Sequence, residues 1–134
     1  MKVVVDTSVW SLAFRRRGEV AGPEVEALRQ LIEDGLVVLL GAVRQEVLSG
    51  IKHREQFERL RERLSAFPDL ELTTRDYELA AELCNQCMSQ GVQAAHMDFL
   101  IAATALNRKW AVLSMDRDFE HIAKIVAVRR YELR

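Results

Sequence analysis

Short apolar runs alternate along the chain with stretches in which apolar positions recur every three or four residues. Val3 to Val5 is wholly apolar and β-branched, the pattern of a strand covered on both faces. Ser8 to Phe14 reads as a short helix, followed by an exposed turn at Arg15-Arg16-Arg17-Gly18. Gly22-Pro23-Glu24 opens a helix, with proline at its first position and acids in its first turn. Val25, Leu28, Leu31 and Ile32 form that helix's apolar stripe and Gly35 ends it. Leu36 to Leu40 predicts a second buried strand, Val43 to Ile51 a helix, and Arg54 to Ala66 a charged helix with Phe57, Leu60 and Leu64 on one face. Pro68 breaks it, and Leu70 to Leu72 suggests a brief strand. Thr74 is the expected cap of a helix carrying Leu79, Leu83 and Cys87. Ala94 to Leu106 predicts a helix, Ala111 to Leu113 a strand, Phe119 to Ala123 a short helix and Ile125 to Val128 a last strand.

Strands that alternate with helices and are themselves apolar indicate a mostly parallel sheet with helices on both faces. The expectation is one three-layer α/β/α domain over residues 1–134. With 49% hydrophobic and 29% charged residues, the chain is neither disordered nor a disulfide scaffold. No apolar run is long enough to cross a bilayer, and Met1 to Val5 runs directly into Asp6, unlike a signal peptide. A net charge of −1 does not by itself mark a nucleic-acid binder, so any basic surface has to be local. Cys84 and Cys87 form a Cys-x-x-Cys within the helical segment Tyr77 to Gln90, with no second pair, and His53, His96 and His121 are scattered. They read as packed thiols of a cytoplasmic protein rather than as a redox or zinc motif.

Chemistry is expected at the carboxyl edge of the sheet, where ligands bind in open parallel folds. Asp6 directly follows the first strand, and Asp116 follows Leu113 by three residues. Each could cap the helix after it; both falling on one edge points further. Asp98 lies in His96-Met97-Asp98-Phe99-Leu100-Ile101-Ala102-Ala103, a nearly apolar helix, and shares its face with Ile101, Ala102 and Ala105. A buried acid is costly unless paired or bound to a metal; the plain alternative is a first-turn acid exposed to water, where the helix dipole favours an anion. Glu46 lies on a helix that starts just past the second strand, so it overhangs the same edge; an ordinary solvated glutamate would look the same. Four converging carboxylates would repel strongly unless a cation neutralised them, and an all-oxygen set suits Mg²⁺ or Mn²⁺. Ser8 and Ser114 flank two of these acids and could orient them, or could serve as turn or cap residues.

The segments Val5-Asp6-Thr7-Ser8, Glu46-Val47, His96 to Ala103 and Leu113-Ser114-Met115-Asp116-Arg117-Asp118-Phe119 resemble the PIN domain, and most closely the VapC-type toxin ribonucleases of toxin–antitoxin pairs. The resemblance spans the chain in length, order and spacing. It implies that Asp6, Glu46, Asp98 and Asp116 form the acidic catalytic quartet, that Ser114 stands where the family commonly has threonine, and that Asp118 is an accessory acid. It further implies a Mg²⁺- or Mn²⁺-dependent endoribonuclease toxin, a homodimer, and a small VapB-type antitoxin whose tail occupies the active-site groove.

Arg15 to Arg17, Lys52 to Arg54 and Arg108-Lys109 are the candidate phosphate contacts for an RNA substrate, and each cluster reads equally as ordinary solvated surface. Trp10, Leu12 and Phe14 read as core, in part bordering a partner groove, and Trp110 reads as packing. Other functions considered are a non-catalytic PIN-fold binding module and a housekeeping RNA-processing nuclease. A phosphoacceptor receiver domain fits poorly, because Asp6 stands alone after its strand and Lys124 is not at a strand end. No glycine-rich phosphate loop is present.

Overall fold

Three consecutive valines with no solvent exposure beyond 2% make Val3–Val5 (β1) the centre of a five-stranded sheet. The computed structural model describes residues 1–15 and 22–133. After β1 come α1 (Thr7–Phe14), α2 (Pro23–Glu33), β2 (Val37–Leu40), α3 (Gly41–Leu48) and α4 (Arg54–Leu64). The chain continues through β3 (Asp69–Leu70), α5 (Thr74–Ser89), α6 (His96–Arg108), β4 (Ala111–Leu113), α7 (Arg117–Ile125) and β5 (Arg129–Arg130). The described strands run in the order β3-β2-β1-β4-β5, and every pairing is parallel.

This order reverses direction between β1 and β4. Right-handed crossovers then place α1 to α4 on one face and α5 to α7 on the other. Packing follows that division: α1 touches α2 and α3, α3 touches α4, while α6 lies on β1 and β4 and against α5. One apolar cluster fills both layers, from Trp10, Val43 and Leu64 on one side to Phe99, Ile101 and Phe119 on the other. Ile101, Ala102 and Ala105 are completely buried, so the α6 face predicted to meet the sheet does so.

Several local expectations are revised. Asp6 is the N-cap of α1, which begins at Thr7 rather than Ser8. Thr73, not Thr74, caps α5, because Asp76 bonds back to the Thr73 backbone and hydroxyl and closes a capping box. α6 begins at His96, not Ala94. The brief third strand is Asp69–Leu70 rather than Leu70 to Leu72. α7 extends to Ile125, and the last strand is Arg129–Arg130 rather than Ile125 to Val128; Val126 and Val128 pack into the core from the connection. Arg16, Arg17 and Gly18 of the expected turn lie outside the described residues.

Two polar staples join elements that local pattern does not connect. Asp76, wholly buried, accepts from Arg108 Nη1 and Nη2 at 2.7 and 2.8 Å and from Asn107 at 2.9 Å, locking α5 to the end of α6. The Arg108 bond is the main reason its carboxyl is held well below the usual range. Arg44 of α3 donates to the carbonyls of Leu64 and Phe67 and to Asp69 Oδ1, satisfying the end of α4. Cys87 is buried and Cys84 half-buried; both are free thiols, as the packing reading expects.

Candidate active site

The strand order creates a crevice where ligands bind in doubly wound sheets, between the carboxyl ends of β1 and β4. Val3, Val4 and Val5 pair in register with Ala111, Val112 and Leu113, and Asp6 N–H donates to the Leu113 carbonyl at 2.9 Å. The turns carrying Asp6 and Asp116 are therefore held side by side. Asp98 comes from the opposite layer, in the first turn of α6, which lies across the same two strands. One carboxylate oxygen from each of Asp6, Asp98 and Asp116 lies within 4.8 Å of the other two.

Capping and convergence, posed as alternatives by the sequence, coexist. Asp6 Oδ1 accepts from Thr7 N–H at 2.8 Å and Asp116 Oδ1 from Asp118 N–H at 2.9 Å, capping α1 and α7. Asp98 Oδ2 accepts the Ala95 N–H at 3.3 Å at the start of α6. Three helix N-termini therefore face the cleft, and their partial positive charges offset part of the cost of gathering acids there. The offset is incomplete. Two unit charges 4.8 Å apart repel by about 3.5 kcal/mol at an effective dielectric of ~20.

Asp6 and Asp98 are each only 5% exposed, whereas Asp116 is the least buried of the three. Burial first, then the charges of Asp6 and Asp116, push the Asp98 carboxyl up from 3.8 to about 7. Without a counter-charge, the cluster holds a proton near neutrality.

The remaining predicted residues fall around this trio. Glu46 lines the same cleft of about 280 Å³ but is exposed and stands outside the tight cluster. Asp118 also lines the cleft, and its charge contributes to raising Asp98. Ser8 and Ser114 both donate to Asp6 Oδ2, at 2.9 and 2.8 Å. The donor set suits a hard divalent cation. The three clustered groups offer only oxygen, and among the described residues no Cys or His lines the cleft.

One predicted phosphate contact is withdrawn: Arg108 is committed to buried Asp76. Sequence reasoning missed that pairing because the partners lie 32 residues apart on different helices. Lys52, His53 and Arg54 are exposed. Trp10 is buried and meets Phe14 and Phe67 edge-on, as core. Trp110, half-buried, lies beneath Lys2 and Arg108.

Fold and cleft together define an α/β protein with an acidic, cation-suited centre at the switch point of a parallel sheet. Residues 3–125 match the PIN domain family, and the chain belongs to it. It is 27% identical to Ribonuclease VapC11 of Mycobacterium tuberculosis and to VapC ribonuclease Mb1587 of Mycobacterium bovis, over 98% of this chain and 99% of each relative. Among solved structures, VapBC2 from Rickettsia felis bound to a promoter DNA fragment matches with a TM-score of 0.78 at 16% identity, covering 98% of both chains. FitAcB from Neisseria gonorrhoeae matches at 0.76 and 22% identity, covering 97% of this chain and 96% of that one. These likenesses at low identity show the fold.

Proposed function

We propose that this chain is a metal-dependent endoribonuclease, the toxin of a type II toxin–antitoxin pair, and that it hydrolyses RNA phosphodiester bonds. The observation that carries the reading is the convergence of Asp6, Asp98 and Asp116 at the switch point. The names of its full-length relatives, both ribonucleases, support the substrate class. In this reading the three aspartates hold Mg²⁺, for which Mn²⁺ can substitute. A divalent cation there supplies Lewis-acid stabilisation of charge developing on the phosphate and its leaving oxygen.

The chain's own groups do the rest. Asp98, drawn toward its neutral form by burial and then by the acids beside it, would ligate a cation as the carboxylate. Glu46, in the same cleft but outside the trio, completes the shell or positions the water that attacks phosphorus in line. Asp118 acts as an accessory acid. Arg15, at the end of α1 beside Ser8 and Met115, and Lys52 to Arg54 contact flanking phosphates. The partners are an RNA substrate, a second copy of the chain, and a small VapB-type antitoxin; likeness to the VapBC structures from Rickettsia felis and Haemophilus influenzae supports the last. The site of action is the cytoplasm, and no described helix is long and apolar enough to cross a membrane.

Induced expression in a bacterium tests the reading. Wild type should arrest growth and leave RNA with new internal ends, whereas Asp116→Asn should do neither. Arrest by a folded Asp116→Asn variant would favour a binding module, and RNA cleavage without arrest would favour a housekeeping nuclease.

A further inference from the structure

The two serines beside Asp6 form a connected device. Ser8 Oγ accepts the Met115 N–H at 3.1 Å and donates to Asp6 Oδ2 at 2.9 Å. Ser114 Oγ accepts the Asp116 N–H at 3.0 Å and donates to the same oxygen at 2.8 Å. Each hydroxyl has a single proton, and each receives a backbone N–H, so both protons are directed onto Oδ2. A carboxylate offers about four lone-pair positions. Two are taken on Oδ2 and a third, on Oδ1, by Thr7 N–H. One remains, on Oδ1.

We propose that Ser8 and Ser114 are positioning residues that saturate Asp6 Oδ2, leaving Oδ1 as the single oxygen with which Asp6 ligates the cation, and that Ser8 ties the start of α1 to the β4–α7 turn carrying Asp116. The proposal rests on the metal reading above. Its physical content is orientation. An Asp6 carboxylate without these donors rotates about its last bond, and the Asp116 turn loses the Met115–Ser8 tie. A cation then meets ligands that must be ordered on binding. Hydrogen-bond partners of ligating groups typically contribute 10- to 100-fold in metal affinity.

Mn²⁺ titration followed by the electron-spin resonance of the free ion, with circular dichroism to verify folding, tests this without reference to activity. Ser8→Ala and Ser114→Ala should each weaken Mn²⁺ binding by roughly 10-fold or more, whereas Ser114→Thr, which keeps the hydroxyl, should bind nearly as wild type does. On RNA, the alanine variants should lose kcat at saturating metal while KM for RNA is unchanged. If alanine at 114 fails to fold, Ser114→Cys, similar in size and a weak donor, takes its place and should also bind weakly. Folded alanine or cysteine variants with wild-type Mn²⁺ affinity would overturn the proposal. A wild type that binds no Mn²⁺ would overturn the metal reading itself, and the proposal with it.

Discussion

Replacing Asp98 by asparagine should make the metal-free protein more stable at alkaline pH while removing its activity. In the folded chain burial and neighbouring acids raise this carboxyl to about 7, against 3.8 when unperturbed. A carboxyl whose folded-state pKa is raised binds its proton more tightly when folded, so between those two values stability falls as pH rises. The whole interval corresponds to roughly 4 kcal/mol, and relaxation of the half-exposed acids brings the expected figure to about 2–4 kcal/mol. Asparagine has the same shape, carries no charge, and can still accept from the Ala95 N–H that meets Asp98 Oδ2. In chelator at about pH 8, Asp98→Asn should therefore exceed wild type by that margin, with the gap closing toward about pH 4. Urea melts across this range measure it directly. Mg²⁺ should stabilise wild type at alkaline pH and leave the variant unmoved. A variant less stable than wild type at about pH 8, or a gap that does not shrink as pH falls, would mean that the Asp98 carboxyl is not raised in the folded chain.

Arg108→Ala should cost about 3–5 kcal/mol in urea melts, because it strands the buried Asp76 carboxylate. Since Asp76 is held below the usual range, its contribution is complete at neutral pH and is lost only as pH falls below the ordinary carboxylate range. Glu46→Gln should lower the cleavage rate by about 10²-fold or more and leave Mn²⁺ affinity close to wild type; loss of Mn²⁺ binding would make Glu46 a ligand. A disulfide reagent should label Cys84 readily in the native protein and reach Cys87 only on unfolding, because Cys87 is buried and its thiol is pushed up. Equal labelling rates would contradict that packing.

Asp6 and Asp98 were legible because each breaks an apolar pattern: one ends a run of valines, the other sits on a helix face otherwise made of Ile101, Ala102 and Ala105. Strand order turned that into geometry, since only adjacency of β1 and β4 brings Asp116 to Asp6. β5 was misplaced because Arg129–Arg130 is a two-residue exposed edge strand without a hydrophobic signature, while apolar Val126 and Val128 serve the core from outside any strand. Thr73 rather than Thr74 caps α5 because its N–H donates to the Asp76 carboxylate, a reciprocal bond that no propensity distinguishes. Arg108 looked like a surface cation because its partner is distant in sequence. Glu46 was read onto the right edge, yet its separation from the trio depends on how α3 leaves β2, which periodicity does not specify.

The most direct test of the central claim is cleavage of a structured RNA pool by purified, partner-free protein, comparing wild type with Asp98→Asn in Mg²⁺, in Mn²⁺ and in chelator. Wild type should cleave with either ion and not in chelator, and the folded variant should cleave in no condition. Undiminished cleavage by Asp98→Asn, or by wild type in chelator, would contradict that claim.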